Sequence, residues 1–146
     1  MKRIIYFVII LMLMSGCYYK SLGHLDKLRT ENRQNLLKLS IGISKQEALG
    51  IMGNATATDI YINEEKVTAS NPYKNEILQG KDKTFEVIYY LTESKHQKVV
   101  DYWGYSQATP ITEDELTPLV FDNGKLIGWG WSFLKNNSQT FEIRMR

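Results

Sequence analysis

Few side chains in this 146-residue sequence combine the type and spacing that chemistry needs. A catalytic centre requires a reactive group, a base and something to orient them. The two histidines, His24 and His96, stand far apart, and neither has a partner at a metal-ligand spacing such as His-x-x-x-His. Glu113-Asp114-Glu115 gathers three carboxylates, but consecutive residues send their side chains in different directions. That run therefore reads as a solvated acidic turn, and Glu64-Glu65 reads the same way. A hydrolase built on the acidic turn would need Glu113 or Asp114 in a pocket with a perturbed pKa. Gly128-x-Gly130 sits in a stretch that reads as a strand, not ahead of a helix, so it is no phosphate cradle. The sequons at Asn54 and Asn136 read as chance. No cofactor, metal or catalytic residue is expected.

The single cysteine, Cys17, is better placed for modification than for catalysis. Residues 1–17 run Met-Lys-Arg, then an apolar stretch over 4–14, then Ser15-Gly16-Cys17. A basic start, a short apolar run and small residues make a secretory leader. Eleven apolar residues are too few to cross a bilayer, which takes about 20. Met14-Ser15-Gly16-Cys17 resembles the bacterial lipobox, with Met14 where leucine is usual. The resemblance implies that Cys17 carries diacylglycerol by a thioether and becomes the first residue, with a palmitate-type chain on its amine. A lone free thiol suits an oxidising compartment poorly, and no second cysteine exists to pair with it. Each buried CH₂ contributes about 0.8 kcal/mol, so several acyl chains hold firmly where one would not. Tyr18 follows the cysteine, rather than the aspartate associated with inner-membrane retention, which favours the outer membrane.

Charge excludes one class of partner. The chain has 18 Lys+Arg against 16 Asp+Glu, and removing Lys2 and Arg3 with the leader leaves 16 against 16. A neutral mature chain has no electrostatic grip on nucleic acid. Hydrophobic residues at 43% and charged residues at 23% are ordinary for a folded domain.

Residues 17–24 read as a tether and 25–146 as one domain. Leu25, Leu28, Asn32, Leu36 and Leu39 recur at helical spacing, which predicts a helix over about 25–39. The stripe thins at its middle, predicting weak packing of the N-terminal half. Gly42 breaks the pattern, and Ser44 with Glu47 forms the Ser-x-x-Glu capping box that opens a second helix ending at Gly53. Strands are predicted over 56–62, 84–92, 117–121 and 125–133. The last two are joined at Asp122-Asn123-Gly124, a strong hairpin signal because Asn-Gly accepts positive φ. Residues 63–83 and 99–115 read as long loops. Helices followed by strands argue for an α+β domain, two N-terminal helices packed on a small antiparallel sheet of about four strands.

The stretch Gly128-Trp129-Gly130-Trp131 is the most distinctive local feature. On a strand, Ile127, Trp129, Trp131 and Phe133 would share one face, and Leu126, Gly128, Gly130 and Ser132 the other. Glycines admit a closely approaching element. The aromatic face is either core or a platform for a partner, since aromatics dominate interface hot spots. Tyr89, Tyr102, Trp103 and Tyr105 could extend such a platform.

Gly42-Ile43-Ser44-Lys45-Gln46-Glu47-Ala48, with Met52-Gly53-Asn54-Ala55, resembles the signature of the SmpA/OmlA family, small outer-membrane lipoproteins that include the BamE subunit of the β-barrel assembly machine. Gly42, Ser44, Glu47 and Gly53 match; Ile43, Ala48 and Ala55 depart from the family's Met, Val and Pro. Residues 119–126 look like the family's closing hairpin. The resemblance implies a two-helix layer on an antiparallel sheet, held by lipid at the periplasmic face of the outer membrane. It implies a paralogue that binds an envelope protein and catalyses nothing. The alternative is a lipid-anchored inhibitor or small-ligand-binding module using the aromatic face.

Overall fold

A computed structural model describes residues 23–61, 64–80, 83–94 and 110–137. Their order is α1 (His24–Leu36), α2 (Lys45–Met52), β1 (Thr56–Ile60), β2 (Lys66–Ser70), β3 (Lys74–Gln79), β4 (Thr84–Leu91), a 3₁₀ turn (Glu113–Glu115), β5 (Leu116–Asp122), β6 (Lys125–Trp129) and α3 (Trp131–Asn137). The domain is α+β. β3-β4-β5-β6 form a four-stranded antiparallel sheet, and β1-β2 form a separate antiparallel pair.

Both faces of the larger sheet are buried, because β4 is apolar in both parities. Phe85, Val87, Tyr89 and Leu91 point to the first face, where Leu25 and Leu28 of α1, Ala69 of β2 and Leu134 of α3 cover them. Ile88 and Tyr90 point to the second face with Leu119, Phe121 and Leu126, under Ala48 and Met52 of α2 and Leu39. The short helix α2 therefore gains its stability from tertiary packing, as a helix of two turns must. Ser44 caps it by accepting from the Glu47 amide at 3.2 Å. The complete reciprocal box forms elsewhere, at Thr112 and Glu115 ahead of β5.

Three expectations are corrected. The loop expected over residues 63–83 contains β2 and β3. Its period-two pattern is hidden because β3 is largely exposed on both sides. The thin stripe of α1 does not leave its N-terminal half weakly packed: Leu25 and Leu28 are buried, and so is Asn32 at the gap. His24, expected in the tether, is the first residue of α1.

The strand expected to reach Phe133 stops at Trp129. A register shift between Val120 and Phe121 inserts Ile127 as an extra residue, so Leu126 and Gly128 point to opposite faces despite being two apart. Gly130 then turns at φ 86°, and the chain folds back as α3. The Gly128-x-Gly130 pair thus does precede a helix. The expected close approach is present: a Cβ on Gly128 would lie 2.4 Å from the Phe133 ring. Gly128→Ala is expected to destabilise the domain by about 1–3 kcal/mol through overpacking. Denaturant midpoints check this, and pairing the change with Phe133→Ala should make the two effects less than additive.

Candidate functional site

Two regions bear on function: the point where the chain joins its expected anchor, and the surface where the aromatic residues gather. Cys17 lies outside the described residues. Six residue steps separate it from Gly23, which limits the span to about 20 Å when extended. Gly23 precedes α1 and sits against β1. A Cβ there would meet the Asp59 carboxylate at 2.7 Å. Asp59 accepts from the Leu25 amide at 3.4 Å, placing negative charge at the N-terminus of α1. The His24 ring nitrogen Nδ1 lies 3.1 Å from the Thr58 carbonyl oxygen. The start of the folded body is therefore pinned to the β1-β2 pair.

α1 itself crosses the end of the large sheet at which β4 leaves and β5 begins. Arg29 donates from Nη1 to Asp26 at 3.0 Å, from Nη2 to Glu115 at 3.2 Å and from Nε to the Glu93 carbonyl at 2.7 Å. Arg33 donates to the Thr92 carbonyl at 2.8 Å. Asn32 and Asn71 exchange amide hydrogen bonds at 3.0 and 2.6 Å. Asn32 also donates to the Leu91 carbonyl at 2.8 Å, and Asn71 to the Met52 carbonyl at 3.2 Å. One buried amide pair thus joins α1, the end of α2, the end of β4 and the β2-β3 connection. Sequence reasoning missed this seam, although Asn32 on an otherwise apolar stripe was its signal.

The acidic turn does not behave as three solvated carboxylates. Glu113 accepts from Lys74 at 2.8 Å, Asp114 accepts from the Thr112 hydroxyl, and Glu115 is buried against Arg29. The expected divergence of the three side chains holds, but the expected solvation fails at Glu115. Among the described residues, no three His, Cys, Asp or Glu side chains gather as a metal site. His96 lies outside the described residues.

Trp129 and Trp131 do not share a face. Trp129 is half-buried on the second face beside the α2 cluster, whereas Trp131 packs on the first. The strand ends at Trp129, and the turn at Gly130 separates the two. Trp103 and Tyr105, with Tyr102, lie outside the described residues. The expected association of Tyr89 with this region survives for Trp131, whose ring centroid stands 5.9 Å from that of Tyr89. The Trp131 indole N–H donates to the Leu116 carbonyl at 2.7 Å. Tyr89 donates its hydroxyl to Glu76 at 2.9 Å, and the Lys74 ammonium lies 4.4 Å from its ring centroid.

The charges around this aromatic pair shift one another. The hydrogen bond from Lys74 is the main cause that lowers the Glu76 carboxyl below its ordinary range. Burial works against the Lys74 charge, but hydrogen bonds to Glu113 and Glu76 more than offset it and raise the ammonium pKa. Burial, then the bond to Glu76, raises the Tyr89 phenol. On the other face Tyr90 is pushed up to about 12 by burial, and among the described residues its hydroxyl has no hydrogen-bond partner. These shifts favour the charged forms of Lys74 and Glu76.

A family model described as Protein of unknown function (DUF3192) matches residues 9–136. That span includes Cys17 and all but the last residue of the described fold. No curated protein and no solved structure matches the chain.

Proposed function

We propose that this chain, which belongs to the DUF3192 family, is a lipid-anchored accessory protein of the bacterial envelope that binds a protein partner and catalyses nothing. The observation that carries the reading is Met14-Ser15-Gly16-Cys17 at the end of a short apolar leader, six residues before the folded body begins. Lipid on Cys17 would hold the domain within about 20 Å of a membrane surface, and so concentrate it against anything else held there. The outer membrane, periplasmic side, is the favoured location because Tyr18 follows the cysteine.

The adaptor role draws support from how the acids are used. Glu113, Glu115 and Asp59 each serve a lysine, an arginine or a helix start. The partner surface we favour is the corner where half-buried Trp131 meets Lys74 and Glu76 over the buried Tyr89 ring. The signature around Gly42, Ser44, Glu47 and Gly53 supports kinship with the SmpA/OmlA lipoproteins, as a paralogue of BamE.

Intact-mass spectrometry of the membrane-extracted chain tests the anchor. The expected mass is that of a chain beginning at Cys17 and carrying acyl groups. A full-length chain with an unmodified thiol would overturn the proposal.

A further inference from the structure

The two edges of the four-stranded sheet are treated differently. β6 is covered by the segment ahead of α2: the Gly42 amide donates to the Leu126 carbonyl at 2.7 Å, the Leu126 amide to the Ile43 carbonyl at 2.9 Å, and the Lys45 amide to the Gly124 carbonyl at 2.8 Å. The opposite edge is β3, which pairs with β4 alone. Among the described residues no main-chain hydrogen bond leaves its outer side. β3 has six residues, contains no proline and shows no register shift against β4. Ile77 at its middle is 63% exposed. Proteins ordinarily blunt such an edge, because its free N–H and C=O groups are a template for another strand.

We infer that β3 is a self-association edge, pairing antiparallel with β3 of a second copy of this chain. Register decides between occupants. A two-fold axis perpendicular to the sheet sets one residue of β3 against itself and keeps like faces together. Centring on Glu76 opposes two carboxylates, which is unfavourable. Centring on Asn75 carries Ile77, Leu78 and Gln79 past the first strand residue of the other copy. Centring on Ile77 sets isoleucine against isoleucine, Asn75 against Gln79 and Glu76 against Leu78, with Lys74 facing Gly80. Each amide then meets a complementary amide, the exposed apolar side chain is covered, and no like charges face each other. The strand is thus complementary to itself in a register that pairs five of its six residues, 75–79, within the strand.

One edge-to-edge strand contact is small for an interface, well under the area of a standard stable complex. Confinement to a membrane surface raises the effective concentration of copies, so the inference rests in that respect on the anchor proposed above.

Cysteine cross-linking in cells expressing the full chain tests it. Facing Cα atoms in an antiparallel pair lie about 4.5–5.5 Å apart, within disulfide range. Ile77→Cys is expected to give a thiol-reversible dimer on a non-reducing gel after mild oxidation. Wild type and Asn123→Cys, at the exposed β5-β6 turn, should give several-fold less. Equal yields from Ile77→Cys and Asn123→Cys would overturn the inference, and so would cross-links from position 77 to other proteins alone. A dimer in wild type would instead report a free Cys17 thiol and sink the anchor. The edge would then be judged on Ile77→Cys in a Cys17→Ser background, by the same comparison.

Discussion

Glu115→Ala is expected to cost the domain about 3–5 kcal/mol, the range for breaking a buried ion pair from one side. The Arg29 and Glu115 side chains are 11% and 4% exposed, so the guanidinium left behind keeps little water to replace its partner. The same change removes the second half of the cap at Thr112, whose amide donates to Glu115 at 3.2 Å. The Glu115 main-chain carbonyl already accepts from the Thr92 and Glu93 amides, at 3.0 and 2.9 Å. One residue therefore ties the exit of β4 through its backbone and α1 through its side chain. The expected readout is a fall in Tm of at least roughly 10 °C. Glu115→Gln should cost less, because an amide oxygen still accepts from arginine. Arg29→Met combined with Glu115→Leu should recover much of the loss, since the carboxylate then left without the arginine, Asp26, is 24% exposed and keeps contact with water. Full loss retained in the double variant would mean that packing around the pair, rather than charge, is what the site supplies.

The second large effect is expected at the amide pair. Asn32→Leu should destabilise by about 2–4 kcal/mol, although it lengthens the apolar stripe of α1. Leucine fills a similar space but leaves the Asn71 amide and the Leu91 carbonyl without the donors they meet now, at 3.0 and 2.8 Å. Asn71 is only 6% exposed, so water reaches it poorly. Amide hydrogen exchange separates this from a general loss of stability. Protection should fall first in α1 and around residues 69–71, the elements that the pair joins. An unchanged denaturant midpoint for Asn32→Leu would show that the seam contributes nothing net.

Neither residue looked important by type. Arg29 lies off the apolar stripe, where a charged side chain is ordinarily solvated, and Glu115 is one of three acids in an expected solvated turn. Each is buried by an element distant in the chain: the contact from Arg29 to Glu115 spans 86 residues, and that from Asn32 to Asn71 spans 39. Local pattern carries no information about such partners.

The aromatic strand shows the same limit at shorter range. Alternation placed Trp129 and Trp131 together, and it would have been right for an unbroken strand. The end of the strand at Trp129 and one positive φ at Gly130 were enough to part them. The glycine itself was visible, but Gly130 could as well have marked a closely covered strand.

What could be read directly from the residues was a set of features fixed within a few positions. The cap at Ser44, the left-handed glycine after α2, the Asn123-Gly124 turn and the apolar parity of β4 all depend on local backbone geometry and side-chain chemistry. The proposed leader and its cysteine rest on the same kind of local pattern. Tertiary packing alone decided the rest. It set which strand edge stays open, which acid is buried, and where the two tryptophans come to lie. Those outcomes turn on desolvation and hydrogen bonding between segments far apart in sequence, and such energies exist only once the segments have met.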